Sequence, residues 1–256
     1  MERRFFRSSR LCIGLLSCLS LPALYVAAAS TPSLPKTYNC ARAKTPLSID
    51  GKLNDAAWKA APWTDNFVDI EGEAKPLPRF RTRAKMLWDD EYLYIAAEME
   101  EPDLKAKLTR HDSVIFHDND FEVFLKPPSG TPGYFEFEIN ALNTSWDLFL
   151  NKPYSQQGKP DNHWDIPGLK TAVALHGTLN DSSDKDRGWT VEMAIPWAAF
   201  RSRLPVANPV AGDVWRVNFS RVEWKQGQPK EDNWVWSPQG VINMHVPERW
   251  GYLRFQ

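Results

Sequence analysis

Along most of this chain apolar and polar residues alternate in short runs, and Pro, Gly, Asn or Asp interrupts each run before a helical period can build up. Runs of about four to eight residues bounded by such turn formers read as strands. Arg83 to Ala97 predicts a hairpin, with Ala84–Trp88 and Tyr92–Ala97 flanking a turn at Asp89-Asp90-Glu91. Asp120–Lys126 and Tyr134–Asn140 predict a second pair, joined by the Pro- and Gly-rich stretch 127–133. Further strands are expected at Trp146–Leu150, Leu169–His176, Trp189–Ile195, Val214–Trp224 and Gly251–Phe255. The one helical candidate, Asn54 to Ala60, is short, with Asn54 or Asp55 as its cap. Residues 156–165 and 180–187 read as polar loops. About seven or more short strands with these turn signals predict an all-β fold, a two-sheet antiparallel sandwich.

Alternation also sorts side chains between the two faces of a strand. In Tyr134–Asn140 it sends Phe135, Phe137 and Ile139 to a core and Tyr134, Glu136, Glu138 and Asn140 to the other face. In Asp118–Phe124 it sends Phe121 and Val123 inward and gathers Asp118, Asp120 and Glu122 on the opposite side. Carboxylates sharing a face repel one another unless a cation or a basic side chain compensates. Calcium suits an all-oxygen set, which makes Asp118 and Asp120 candidate ligands, although the spacing matches no calcium-loop motif. An ordinary solvated strand face would show the same pattern. Val214–Trp224 alternates too, and Arg221, Glu223 and Trp224 fall near its end, where loops gather.

Composition narrows the function. Residues 1–29 read as an export signal: Arg3, Arg4, Arg7 and Arg10, then apolar Leu11 to Val26, then Ala27-Ala28-Ala29. That apolar run is about 16 residues, short of the ~20 that span a bilayer, so no membrane span is expected in the mature chain. Leu15-Leu16-Ser17 before Cys18 leaves a lipoprotein anchor as an alternative. Losing four Arg and Glu2 takes the net charge from −1 to −4, with mixed signs and no basic patch for nucleic acid. Cys12 and Cys18 leave with the signal, so Cys40 stands alone and no internal disulfide is expected. Residues 30–44 are expected to be a loose leader and 45–256 one domain.

Nine of the twelve Trp fall between Trp146 and Trp250, several beside Asn, Asp, Glu or Arg. An indole offers a flat apolar face and one N–H donor, which suits the apolar side of a sugar ring. Trp146, Trp224, Trp234 and Trp236 are the candidates for such stacking, with Asn233 as a further amide; Trp189, Trp197 and Trp250 sit among apolar residues and read as core. Glu136 and Glu138 would lie roughly 6.5–7 Å apart, a separation inverting glycosidases use, but two neighbours on one strand do not straddle a bond. No serine elbow, zinc-protease motif or phosphate loop appears, and the five His show no metal-ligand spacing.

Five segments together resemble the family 9 carbohydrate-binding modules, in the family's order: Ile49–Trp58, Ala84–Tyr94, Asp118–Phe124, Gly188–Trp197 and Trp250–Phe255. The resemblance covers about residues 45–256. It implies an immunoglobulin-like sandwich of the DOMON-like group that binds oligo- or polysaccharide, often in systems degrading xylan or cellulose. In that family two Trp clamp a terminal sugar while a Glu, an Arg and an Asn take its hydroxyls. Carried over, the Glu corresponds to Glu122, the Asn to Asn140, the first Trp to Phe116, the Arg to Glu138 and the second Trp to Met244, with Trp234 or Trp236 as alternatives for that wall. The charge reversal at Glu138 implies a different ligand or a different orientation of one. The expected function is therefore a secreted, non-catalytic carbohydrate binder, free-standing or acting beside a separate glycoside hydrolase. Two other classes stay open: a glycoside hydrolase with its own active site, and a haem-binding electron-transfer domain drawing axial ligands from Met86, Met99, Met193, Met244 and the His.

Overall fold

The structure is a computed structural model that describes residues 34–128, 133–225 and 227–256. The export signal read at residues 1–29, with Cys12 and Cys18, lies outside the described residues. The regular structure of the described chain is almost entirely strand. It begins with β1 (Thr37–Arg42), a short helix α1 (Ala56–Ala60) and the two-residue β2 (Val68–Asp69). Two hairpins follow: β3 (Thr82–Trp88) with β4 (Tyr92–Glu100), and β5 (Asp120–Lys126) with β6 (Tyr134–Asn140). Then come β7 (Ser145–Leu150), β8 (Pro160–Asp161), β9 (Lys170–Leu175), β10 (Gly188–Pro196) and a second short helix, α2 (Trp197–Arg201). The chain closes with β11 (Val214–Glu223), β12 (Asp232–Val235) and β13 (Gly251–Phe255).

One layer runs β8-β7-β6-β5-β11-β13 and the other β3-β4-β10-β9, with β1 between them; β12 hangs from β11 and pairs β2. Every pairing is antiparallel except those of β1, which lies parallel to β13 through residues 37–40 and parallel to β3 through 41–42. Residues 37–42 therefore form a strand and not a loose leader. Their sequence, Thr-Tyr-Asn-Cys-Ala-Arg, shows little apolar run because only Tyr38 and Cys40 turn inward. What holds β1 is backbone pairing to residues far away in the chain, together with Tyr38, whose hydroxyl accepts from Met86 N (3.0 Å) and donates to Pro62 O (2.7 Å). Cys40 is a buried free thiol, and burial pushes its pKa far up.

The core between the layers takes the residues that alternation sends inward: Phe121, Val123, Phe137, Ile139, Val217 and Phe219 from one, Met86, Ile95, Val191 and Met193 from the other. Most of the tryptophan belongs here too. Of the nine Trp from Trp146 to Trp250, seven are buried, and Trp146 and Trp224 remain half-buried. Met86, Met99 and Met193 are core residues as well.

Two of the family-like segments meet in this scaffold. Glu192 on β10 is fully buried and accepts from Asp50 N (2.8 Å), Gly51 N (2.7 Å) and Trp58 Nε1 (2.6 Å). Gly51 has φ +82°, and a Cβ there would meet Ala174 N at 2.7 Å, so a side chain fits neither the conformation nor the space. Asp55 precedes α1 without capping it: its carboxylate accepts from Ser48 N (3.0 Å) instead.

Candidate functional site

The outer face of the β7-β6-β5-β11 sheet is where alternation places the acids. Register sets them side by side: Trp146 opposite Glu138, Glu138 opposite Glu122, and Glu122 opposite Ser220. The next row up carries Leu148, Glu136 and Phe124. This face is not solvated. Ile70, Phe124, Tyr134, Leu148, Val235, Met244 and Trp250 form a second apolar cluster on it, roofed by the segment between β12 and β13. Beside that cluster the face opens into a cavity of about 460 Å³. Its floor is Glu122, Glu136 and Glu138. Its walls are Phe116 and Trp146 on one side, and Tyr154, Asn233, Met244 and His245 on others.

The aromatic wall is open to solvent. Phe116 is 36% exposed, on a 3-10 turn at Ile115–His117, and its ring lies 6.4 Å from that of Trp146 at a tilt of 36°. Glu138 accepts from Phe116 N at 3.0 Å, which ties the turn to the floor. Burial, reinforced by mutual repulsion, raises the pKa of Glu136 and Glu138 well above the carboxylate range. Burial brings Glu122 to about 7, and holds His245 down at about 4. His245 Nδ1 lies 2.8 Å from the Tyr134 hydroxyl. These shifts move the cavity's carboxyls toward the protonated form and its imidazole toward the neutral one, forms that donate as well as accept. Asp120 Oδ2, Glu136 Oε2 and Ser220 Oγ are buried without a hydrogen-bond partner among the described residues. Polar atoms left in that state are uncommon, and a ligand or water that reaches them removes the cost. Among the described residues no Lys or Arg lines the cavity.

Four positions of the expected sugar clamp therefore border one cavity: Phe116, Glu122, Glu138 and Met244, with Trp146 beside them. The other candidates lie elsewhere. Asn140 is fully buried; its amide donates to Leu108 O (2.9 Å) and Asp118 (3.0 Å) and accepts from the backbone of Leu142 and Thr144. It holds the turn after β6. Arg221 sits on the core side of β11, because the strand runs on to Glu223 and keeps its alternation. There its guanidinium pairs with Glu101 (2.8 Å) and Glu223 (2.7 Å) and lies over the Trp234 ring. Trp234 and Trp236 are core residues, as β12 parity and the close approach of Gly251 to Trp236 require. Trp224 backs the Phe116 turn, donating to Phe116 O at 2.8 Å, and faces a different hollow with Asp118 and Asn119.

The acidic candidates for calcium divide as well. Asp118 Oδ2 accepts from Lys107 N, Leu108 N and Asn140, whereas Asp120 clusters with Glu122 and Glu138, their oxygens all within 4.8 Å. Asp118 caps a loop and does not join that group. Sequence reasoning missed Tyr154 and His245 altogether; both come from irregular segments whose position follows only from the closed fold.

Residues 49–256 match the family described as carbohydrate family 9 binding domain-like. The chain belongs to that family. Among curated relatives of this carbohydrate family 9 domain are endo-1,4-beta-xylanase A of Thermotoga maritima, 26% identical over 82% of the chain, and exoglucanase XynX of Acetivibrio thermocellus, 26% identical over 60%. The match covers 17% and 12% of those two proteins, so the chain spans less than a fifth of either. A solved family 9 module of Caldicellulosiruptor kristjanssonii in complex with cellotriose superposes with TM-score 0.58 at 20% identity, covering 86% of this chain and 94% of that one. A Bacteroides uniformis crystal structure gives TM-score 0.67 at 16% identity, covering 86% and 99%. At these identities the structural likeness speaks to the fold.

Proposed function

We propose that this chain is a non-catalytic carbohydrate-binding module whose saccharide seats in the Glu122–Glu138 cavity. The observation that carries the reading is the meeting of a half-open aromatic pair, Phe116 and Trp146, with Glu136, whose buried Oε2 has no hydrogen-bond partner among the described residues. A ring stacked on the aromatics would set its hydroxyls toward Glu122, Glu136, Glu138 and Asn233. Membership of the carbohydrate family 9 domains supports the ligand class, and the xylanase and exoglucanase relatives support xylan- or cellulose-type chains. The module acts in polysaccharide breakdown beside a separate glycoside hydrolase, after export directed by residues 1–29. Among the described residues no helix is long and apolar enough to cross a membrane.

Titrating xylo- and cello-oligosaccharides while following Trp fluorescence tests this. Stacking in a half-open site gives dissociation constants from micromolar to millimolar, about −8 to −4 kcal/mol. Absence of any response across plant, algal and bacterial glycans rejects the reading. Release of reducing sugar by the purified protein, lost in Glu138→Gln, would replace binding with hydrolysis.

A further inference from the structure

A second polar cluster lies away from the cavity, at the edge of the sheet where β7 begins. His111 comes from the turn before the Phe116 segment, Asp147 from β7, and Asp165 from the loop after β8; Asp112 follows His111. His111 Nε2 lies 3.1 Å from Asp165 Oδ1, 3.4 Å from Asp112 Oδ1 and 3.6 Å from Asp147 Oδ1. All four ligand atoms fall within 4.8 Å of one another. No sequence spacing announces the group, because its members are brought together from three separate segments.

Three features argue that this is more than a surface ion pair. His111 Nδ1 lies 3.0 Å from the carbonyl of Ser145, which only accepts, and 3.3 Å from the Ser145 hydroxyl, which can also accept, so this side of the ring favours a proton on Nδ1. In the neutral ring the Nε2 lone pair then points at three carboxylates. Fixing one imidazole nitrogen on a backbone carbonyl is how proteins orient the other toward a metal. Second, Asp147 is 1% exposed, and its Oδ1 has no hydrogen-bond partner among the described residues although it is aimed into the cluster. Its other oxygen is held by Ile166 N, so the side chain cannot swing away. Third, the spacing fits. Bonds of about 2.0–2.2 Å in a tetrahedron set neighbouring ligand atoms about 3.3–3.6 Å apart, close to the distances from Nε2. A protonated imidazole would donate to only one of these oxygens and would leave Asp147 Oδ1 without a partner. A dication reaches all of them.

We infer that His111, Asp112, Asp147 and Asp165 form a divalent transition-metal site, with zinc as the ion its one nitrogen and three oxygens fit. Calcium and magnesium prefer all-oxygen sets of higher coordination. The ion would pin the turn leading to Phe116 and the residue next to Trp146 to the β8 loop. The site stands independently of the saccharide cavity.

The test uses untagged protein dialysed against a chelator, then given ZnCl2, CaCl2 or MgCl2. Zinc is expected to bind at one ion per chain and to raise the thermal midpoint, since a ligand that binds only the folded state stabilises it. Calcium and magnesium leave the midpoint unchanged. Cobalt in place of zinc gives the visible absorption of a tetrahedral ion. His111→Gln and Asp165→Asn, both at exposed positions that the fold tolerates, weaken zinc binding by about tenfold or more, at least the loss that follows removal of an outer-shell partner. Failure of the parent protein to retain zinc overturns the inference, as does zinc retention undiminished in both variants. Saccharide titration is run on both the zinc-loaded and the metal-free protein: zinc retention reads this site and saccharide binding by either form reads the cavity, so failure of the one is distinguishable from failure of the other.

Discussion

Two groups of buried acids sit on opposite faces of the same sheet. On the core side, Glu101 and Glu223 close around Arg221, whose guanidinium also donates to Thr82 Oγ1 and Glu100 O. On the outer side, Glu122, Glu136 and Glu138 floor a cavity that no Lys or Arg lines among the described residues, with Asp120 packed beside Glu122 and Glu138. The first group is complete without anything from outside, and it welds β11 to the β3–β4 hairpin. The second is held in place by the sheet but left unsatisfied. Burial alone therefore does not mark a site; burial without a partner does, because only there does an incoming polar ligand relieve a cost already present.

Removing Arg221 should give the largest effect. Arg221→Met takes the buried cation away from Glu101 and Glu223, leaving Glu101 the amide of Asn119 and Glu223 only the more distant Arg79, and is expected to cost about 3–5 kcal/mol in urea unfolding, with saccharide affinity unchanged in the folded fraction. A loss of affinity at constant stability would move Arg221 to the binding side of the comparison. Asn140→Ala follows, at about 1–3 kcal/mol of stability, again with affinity unchanged, since Asn140 serves the turn after β6 and not the cavity. Trp146→Ala reverses the pattern: stability within about 0.5 kcal/mol, as for a half-exposed position, and affinity down about tenfold, in line with a lost aromatic contact. Calorimetric titration beside a denaturation curve separates the two.

The smallest effect concerns pH. Glu122 has a folded pKa near 7, above its unfolded value, so the folded state holds its proton longer. Its contribution to stability is full below about 4.5, falls as pH rises toward 7, and is constant beyond. His245, depressed to about 4, contributes the opposite slope: its stability is present above about 6.5 and lost as pH falls toward 4. Glu122→Gln should make the decline between pH 4.5 and 7 shallower than in the parent, the remainder coming from the other raised carboxyls, while leaving the His245 limb intact. Identical profiles for the two proteins would mean that Glu122 does not titrate in that range.

Much of the scaffold could be read from the chain because alternation is a local signal. Tyr134–Asn140 sorted its own side chains, and the acids of β5 and β6 fell on one face as that sorting requires. Tryptophan misled for the same reason that it attracted notice. An indole beside polar neighbours in sequence can still turn into a core, as Trp164, Trp234 and Trp236 do. Arg221 misled because it was grouped with the loops near the end of its strand, although the alternation of β11 sends it inward with Val217 and Phe219. Tyr154, His245 and the His111 cluster depend on which loops the closed sandwich brings together, and no window of sequence contains that information. β1 escaped because its partners, residues 252–255, lie at the other end of the chain.

That last pairing has a consequence for how the protein is made. The seam joining the layers needs Cys40 beside Phe255, contacts more than 200 residues apart, so it cannot close until residues 252–255 have been made. Until then β1 has only its two-residue pairing with β3 to hold it, and the two half-sheets stay unjoined along this seam. The two layers can each begin to pair while the chain is being made, but the join between them waits for its most distant partner.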